Sequence, residues 1–259
     1  MIELKAAISA EWKQATSDRV GAIILAVTAT VSIVVSVFLG YLLVKYNPAD
    51  ANPSERTACQ GLFQAGLYGI MVWVIRHYLR EVSTHFGNLK SLFMAKKAPL
   101  WGAKLLVLSA LGVTFALVTA VACSLATLGF LAIGGLDWSV MIGSVIDYLA
   151  LVANTIIVSL GTIAFSAGIA VFAGDFGLAT SISIVWLLVI ESMSNGDDPE
   201  VRSFYTFLPF ANGLRAYQQL PAEWFLWPTW TSEGYFLLFS FGLFTLAVLA
   251  KKNNATSNR

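Results

Sequence analysis

The chain repeatedly presents apolar runs that are long enough to cross a bilayer. A hydrocarbon core of ~30 Å needs about 20 apolar residues in a helix, and runs of roughly this length recur from residue 20 to residue 250. Each of these runs is therefore a candidate transmembrane helix. With 57% hydrophobic and 12% charged residues, against roughly a quarter charged in soluble domains, the sequence predicts an all-α membrane protein.

We predict six transmembrane helices within a membrane domain that spans residues 20–250. They are placed at 20–44, 58–75, 101–133, 145–172, 178–191 and 232–250. Breakers separate them, among them Gly134-Gly135 and the short turn Gly174-Asp175-Phe176-Gly177. So short a turn requires its two helices to be antiparallel neighbours. Residues 251–259 form a polar tail.

Residues 1–19 read as an amphipathic helix that lies along the membrane interface. Lys5, Glu11, Lys13 and Asp18 oppose an apolar side on which Trp12 would anchor the helix among the headgroups; the other apolar residues are Ile2, Leu4 and Ile8. The alternative is a frayed cytoplasmic tail. Nothing in this stretch resembles a cleaved signal sequence, so the first apolar run is expected to remain as a transmembrane helix.

The longest polar interval between apolar runs, residues 76–104, sets the orientation. It is rich in positive charge and contains one acid, Glu81; the basic residues are Arg76, Arg80, Lys90, Lys96, Lys97 and Lys104. Short loops with excess Lys and Arg stay in the cytoplasm. Six spans then place both termini in the cytoplasm and residues 192–231 outside.

Within this cytoplasmic bridge, Thr84 can cap a short helix with one apolar stripe. The stripe consists of Phe86, Leu89, Leu92 and Phe93, while Asn88, Lys90 and Ser91 point away. Such a helix would lie beneath the membrane and offer a face to a partner. An ordinary solvated loop accounts for the same residues, and both interpretations stay open at this point.

The chain lacks the usual catalytic and phosphate-binding patterns. It has no G-x-x-x-x-G-K-[ST], H-E-x-x-H, C-x-x-C or G-x-S-x-G, so we expect no enzyme activity and no cofactor in this chain. His77 and His85 are predicted to be solvated or interfacial rather than metal ligands. Cys59 and Cys123 are predicted to act as small hydrophobes. A net charge of +1 gives no reason to expect nucleic-acid binding.

Polar residues inside two of the predicted spans suggest a path. Gln60, Gln64 and Tyr68 recur at a spacing of four and share one helix face. Thr180 and Ser183 begin the fifth span, together with Ser181. These groups could line a translocation path, or they could hydrogen-bond between helices. A separate stripe of small residues on the fourth span, Gly161, Ala164 and Gly168, would let a neighbouring backbone approach closely.

The external segment is unusually aromatic between Pro209, Pro221 and Pro228. Its aromatic residues include Phe204, Phe207, Phe210, Tyr217, Trp224, Phe225, Trp227 and Trp230. This much aromatic surface is expected to be buried, either in two short re-entrant helices that dip into the outer leaflet or in an aromatic belt at the interface.

In their order along the chain, these features resemble the membrane subunit of a type-2 ABC transporter, the permease class of many bacterial exporters. The resemblance is carried by short motifs: Glu11-Trp12-Lys13, Glu81, Gly87-Asn88-Leu89-Lys90-Ser91-Leu92, Lys96-Lys97, Ala103-Lys104 and Leu208-Pro209-Phe210-Ala211. It implies a bacterial inner-membrane exporter that works as a dimer of permeases, either two copies or a related pair. Two separate ATPase subunits would bind the ATP and Mg.

The resemblance also implies roles for particular residues. Residues 84–95 would form the coupling helix between helices 2 and 3, seated in a groove of the ATPase. The coupling contacts would come from Glu81, Phe86, Leu89, Lys90, Leu92, Phe93, Lys96 and Lys97. Gln60, Gln64, Tyr68, Thr180 and Ser183 would line the translocation path, and the re-entrant helices between helices 5 and 6, with Phe207, Pro209 and Phe210, would form an outer lid. A membrane anchor or accessory subunit that senses without transporting is the alternative.

Overall fold

The computed structural model describes residues 2–46, 62–80, 97–133, 145–190, 206–218 and 225–257. Within these ranges nearly every residue is helical and none lies in a strand, so the prediction of an all-α chain is confirmed. The helices are α1 Ile2–Ser17, α2 Arg19–Tyr46, α3 Leu67–Leu79, α4 Lys97–Ile133, α5 Val145–Ala173, α6 Phe176–Val185, α7 Pro209–Gln218 and α8 Thr229–Ser257. A π-helical turn, Leu62–Gly66, precedes α3, and another, Trp186–Ile190, extends α6.

Four of these helices are long and apolar enough to cross a membrane. Their qualifying stretches are Arg19–Leu42 in α2, Leu100–Ile133 in α4, Leu149–Ala173 in α5 and Thr229–Lys251 in α8. This is compatible with a multi-pass membrane protein. The apolar helix Phe176–Ile190 is shorter, as the fifth apolar run predicts.

Side-chain contacts gather one set of helix ends together. Asp18 before α2 pairs with Arg76 near the end of α3, and the Tyr78 hydroxyl donates to the Trp101 carbonyl near the start of α4 at 3.1 Å. Tyr78 also stacks edge-on with Phe244 of α8, with ring centroids 6.2 Å apart. We call this the basic end of the bundle, because most Lys and Arg residues in the described ranges lie there.

Helix α5 forms the centre of the bundle. In its apolar stretch 72% of the residues are buried, against 17–33% in the three other long helices. Helix α5 runs parallel to α8. Gly161 faces Phe236, and Gly168, seven residues later on α5, faces Phe244, eight residues later on α8. At the basic end, Lys251 Nζ of α8 donates to the Val171 carbonyl of α5 at 3.3 Å. The small-residue stripe thus allows the close approach that the sequence predicts.

The turn between α5 and α6 has the expected tight geometry. Gly174 adopts a φ of 69°, a left-handed conformation that favours glycine because it lacks a Cβ. Asp175 caps α6 by accepting a hydrogen bond from the Leu178 amide at 2.9 Å. Helices α5 and α6 pack against each other, which agrees with the prediction of antiparallel neighbours.

The contact between α5 and α8 generates a testable prediction at Gly161. A Cβ there would lie 2.2 Å from a ring carbon of the fully buried Phe236, so Gly161→Ala forces the ring or a helix to shift. Overpacking of this kind costs about 1–3 kcal/mol. We expect a lower midpoint of thermal unfolding in detergent. The matched control is Gly242→Ala on α8, where a Cβ meets nothing within 4 Å; equal stability of the two variants would contradict the packing.

Candidate functional site

Helix α1 presents a different face to the bundle from the one that the sequence predicts. Glu11 and Asp18, assigned to the polar outer side, are buried, whereas Trp12 remains 45% exposed. The reason is that α1 packs on α4 through a stripe in which the small residues Ala7 and Ala15 flank Glu11. Small residues allow close approach, and the carboxylate enters the interior. Trp12 stays outside, where an interfacial anchor is expected.

Glu11 lies in a cluster of buried ionisable side chains from three helices. Glu11, His77 and Lys104 are 0%, 1% and 2% exposed. His77 Nε2 of α3 lies 3.7 Å from Glu11 Oε2 of α1, and Lys104 Nζ of α4 donates to the His77 carbonyl at 3.4 Å. The prediction that His77 is solvated or interfacial is therefore wrong. Its position is set by α3, which continues past the predicted span to Leu79.

Tyr78 completes this cluster beside Lys104. The Lys104 ammonium sits 5.7 Å from the centre of the Tyr78 ring, a cation–π distance. Removing charges from water costs several kcal/mol per ion, so such groups persist only when they are held together with good geometry. We call Glu11, His77, Tyr78 and Lys104 the buried ionic cluster. It fastens α1 to α3 and α4, the two helices that the bridge connects.

A second ionic contact joins the start of α2 to the end of α3. Asp18 Oδ1 lies 3.3 Å from an Arg76 nitrogen and 3.1 Å from an Arg80 nitrogen. Burial of Asp18 raises the pKa of its carboxyl, but the hydrogen bond from Arg76, the charges of Arg76 and Arg80, and the Gly21 amide outweigh burial and hold that pKa below its ordinary value. The Gly21 contact also makes Asp18 a cap for α2.

The residues expected to couple to an ATPase fall mostly outside the described residues. These are Glu81, Phe86, Leu89, Lys90, Leu92, Phe93 and Lys96. Lys97 is the first residue of α4. The residues on either side of the bridge belong to the interior of the bundle: Leu79 is buried before the bridge, and Leu100 and Ala103 are buried after it.

The residues predicted to line a path lie on two helices that pack against each other. Tyr68 of α3 is half-buried, Thr180 and Ser183 lie on α6, and α3 packs against α6. Within the described residues, the buried hydroxyl oxygens of Thr180 and Ser183 have no hydrogen-bond partner. Gln60 lies outside the described residues, and Gln64 falls in the π-helical turn before α3.

Sequence reasoning missed other buried hydroxyl groups. Ser32 of α2, Ser159 and Thr162 of α5, and Ser240 of α8 have buried hydroxyl oxygens for which the described residues supply no partner. A signal was available, because Ser159, Thr162 and Ser166 recur at the spacing of one helix face on α5. Buried hydroxyls left unpaired are costly in a dry interior, which makes them candidates for contact with water or a permeating ligand.

The proposed lid residues are split by the structure. Phe207 is 57% exposed, whereas Pro209 and Phe210 are buried. Phe210 stacks against Phe165 of α5 at 5.2 Å and Phe236 of α8 at 5.1 Å. Helix α7, which begins at Pro209, is therefore attached to the centre of the bundle.

Arg215 and Asn212, which the sequence did not single out, hold α7 against α8. Arg215 donates to the Trp227 carbonyl and to Ser232 Oγ, and its guanidinium lies 4.3 Å from the centre of the Phe225 ring. Asn212 donates to the carbonyls of Thr206 and Leu208 and accepts from the Trp227 indole at 3.0 Å. Buried polar groups at the ends of short helices need such partners.

Cys123 is a free and buried thiol, as predicted for a small hydrophobe. In the part of the chain that the structure describes, no three His, Cys, Asp or Glu side chains converge as metal ligands.

Comparison of the chain with known protein families, with characterised proteins and with solved structures gives no match.

The buried ionic cluster yields a prediction for Glu11. Glu11→Ala removes the buried carboxylate that lies 3.7 Å from His77 Nε2, and breaking a buried ionic contact by removing one partner costs about 3–5 kcal/mol. We expect a lower thermal midpoint and faster hydrogen exchange across residues 2–17. Glu11→Gln separates lost charge from lost packing. Lys13→Ala, an exposed position on the same helix, should stay within about 0.5 kcal/mol; parity between the Glu11 and Lys13 variants would rule out the cluster as the attachment.

The lowered pKa of Asp18 predicts a pH-dependent stability. Because the pKa is lower in the folded than in the unfolded chain, the stabilisation is complete above the unfolded value of about 3.9 and is lost as pH falls through the folded pKa. Asp18→Asn should therefore be less stable than the unaltered protein at pH 7, by about 1–3 kcal/mol. The gap should close below about pH 4 in denaturation curves recorded at both pH values. If the stability difference between Asp18→Asn and the unaltered protein does not change with pH, Asp18 acts only as a helix cap.

Proposed function

We propose that the chain is the permease subunit of an ATP-driven exporter of the type-2 ABC class. The proposal joins the sequence resemblance to four long apolar helices and to an N-terminal helix that packs beside the chain ends flanking the bridge. In this proposal the chain crosses a bacterial inner membrane six times. Both termini and the bridge lie in the cytoplasm, where the basic end of the bundle would face.

The observation that carries the proposal is the set of buried contacts between the helices that flank the bridge. The described chain reaches Arg80 before the bridge and resumes at Lys97 after it. The buried ionic cluster joins the two flanking helices through His77 and Lys104 and links them to Glu11 of α1. In this proposal a push on the bridge would therefore reach three helices at once. ATP-driven closure of the ATPase pair would move them as a rigid body and switch the access of a central path.

The path would run along the contact between α3 and α6. Thr180 and Ser183 offer hydroxyls that the described residues leave unpaired, and Tyr68 contributes a half-buried face. Gln60 and Gln64 would extend this face towards the outer side. Helix α7 would form the re-entrant lid, with Pro209 and Phe210 attached to α5 and Phe207 exposed at its rim.

The working assembly requires partners that carry the chemistry. Two ATPase subunits would hold ATP and Mg, and a second permease, identical or related, would complete the path. This chain itself supplies no catalytic group. Membrane lipids would surround the assembly, and no nucleic acid is involved.

A non-transporting anchor or accessory sensor is the second candidate. It is favoured by aromatic packing that holds the extension of α6 against α5 and α8, because opening a path along α6 would require α6 to move. Phe165 contacts Trp186 at a ring distance of 5.9 Å, and Trp186 contacts Phe239 at 6.3 Å. In an anchor these contacts would be permanent, whereas in a transporter they must open during the cycle.

The proposal predicts that the apolar stripe of the bridge docks on the ATPase. Leu89→Asp, Leu92→Asp or Phe93→Asp places a charge in an apolar contact, and we expect loss of co-purification with the cognate ATPase while membrane insertion persists. Ser91→Asp, on the opposite side of the predicted helix, adds the same charge and serves as the control. A complex that survives the stripe variants would show that the bridge is not the docking site.

A second measurement on the same preparations separates the two candidate functions. The permease and its ATPase are reconstituted together, and ATP hydrolysis is followed with candidate cargo present. An exporter gives cargo-stimulated hydrolysis that the stripe variants lose. An anchor gives no stimulation.

A further inference from the structure

The outer edge of the Asp18 ion pair forms a half-exposed cationic surface. Arg76 and Arg80 lie four residues apart on α3, so they share one face of that helix. Their side chains are 28% and 39% exposed, although both contact an Asp18 carboxylate that is only 4% exposed. One carboxylate oxygen therefore orients two guanidiniums side by side, and part of each faces outward.

The corner where α2 and α3 meet carries further positive charge. The exposed Arg19 follows Asp18 directly in the sequence. Arg19, Arg76 and Arg80 thus bring three positive charges to the junction of α2 and α3, where Asp18 contributes one negative charge. Guanidiniums present planar arrays of N–H donors that match the oxygens of phosphate and carboxylate groups.

Apolar surface adjoins this corner. On α3 the half-exposed positions Tyr68 and Val72 precede Arg76 along the same stripe. On α2 the residues next to the corner are exposed hydrophobics: Val20 at 48%, Ile23 at 60% and Val27 at 57%. A cationic surface that adjoins an apolar helix surface is suited to a molecule with an anionic head group and apolar chains.

We propose that Arg76 and Arg80, supported by Arg19, bind the phosphate of an anionic phospholipid whose acyl chains lie along the apolar surface of α2 and α3. Asp18 is the internal counter-charge of the two guanidiniums. Basic pockets at the ends of transmembrane helices are suited to lipid head groups. A free inorganic phosphate would use the same guanidiniums but would gain nothing from the adjoining apolar surface.

The site is independent of the proposed exporter function. It needs only the α2–α3 corner at a membrane surface, and an anchor protein would bind the lipid equally well. Loss of ATPase coupling would leave lipid binding intact, so the two proposals fail separately.

The test measures retained lipid on the purified full chain. The protein is exchanged into detergent with phosphatidylglycerol or phosphatidylcholine, and bound lipid is counted by native mass spectrometry. We expect preferential retention of phosphatidylglycerol. Each basic residue near an anionic surface contributes about a fivefold gain in affinity, so Arg76→Gln with Arg80→Gln should weaken that binding about 25-fold.

Three matched variants test the assignment. Lys45→Gln removes an exposed cation from the far end of α2 and should change nothing. Paired Arg76→Lys and Arg80→Lys keep the charge but lose the planar donors, so binding should fall less than with glutamine. Asp18→Asn weakens the tether but frees the guanidiniums from a competing carboxylate, so phosphatidylglycerol should be retained at least as well as by the unaltered chain.

Several results would overturn the site. These are equal retention of the two lipids, a loss in Asp18→Asn as large as in the glutamine pair, and binding of inorganic phosphate alone without phosphatidylglycerol preference. If the variant with both arginines changed to glutamine fails to fold, the salt dependence of lipid retention by the unaltered protein provides the test. Phosphatidylglycerol retention should fall as ionic strength rises, because salt screens half-exposed charges; salt-independent retention would contradict the proposal.

Discussion

Burial of the Glu11 carboxylate against α3 and α4 is the interaction on which the arrangement of the basic end depends. A buried ion is tolerated only with partners close by; here His77 of α3 lies beside Glu11, and the His77 carbonyl in turn accepts a hydrogen bond from Lys104 of α4. The need to keep them together fixes α1 along the bundle. It also places the end of α3 next to the first turns of α4, the two helices that flank residues 81–96 in sequence. Electrostatics, rather than apolar burial, thereby positions a helix that has few large side chains facing the interior.

The centre of the bundle follows a different rule. Helix α5 is buried along most of its length because Gly161 and Gly168 allow α8 to approach, and aromatic side chains fill the space beside them. Phe165, Phe210 and Phe236 form a continuous contact from α5 to α7 and α8. The same contact attaches α7 to the centre of the bundle. Movement of α7 would therefore displace aromatic side chains in the core, and this would link the lid to the path in the proposed transport cycle.

Sequence reasoning predicted the features that depend on local chemistry. The apolar runs gave the long helices, the Gly174-Asp175 turn gave the α5–α6 corner, and the small residues of α5 gave a close helix contact. It failed for α1 and His77, because helical periodicity cannot tell whether a face meets lipid, water or another helix. Glu11 looks like a solvent-facing charge in any helical projection, and only the tertiary structure shows that it is buried beside His77.

What the sequence by itself determined is the all-helical character of the chain, since apolar backbone in hydrocarbon has no other way to satisfy its hydrogen bonds within one segment. Tertiary structure alone decided which ionisable groups meet. Glu11, His77 and Lys104 are separated by 66 and 27 positions in sequence, and no local rule relates them. Their cluster exists because three helices pack together there, and the energy of a buried charge depends on what lies across a gap of a few ångströms rather than on its neighbours along the chain.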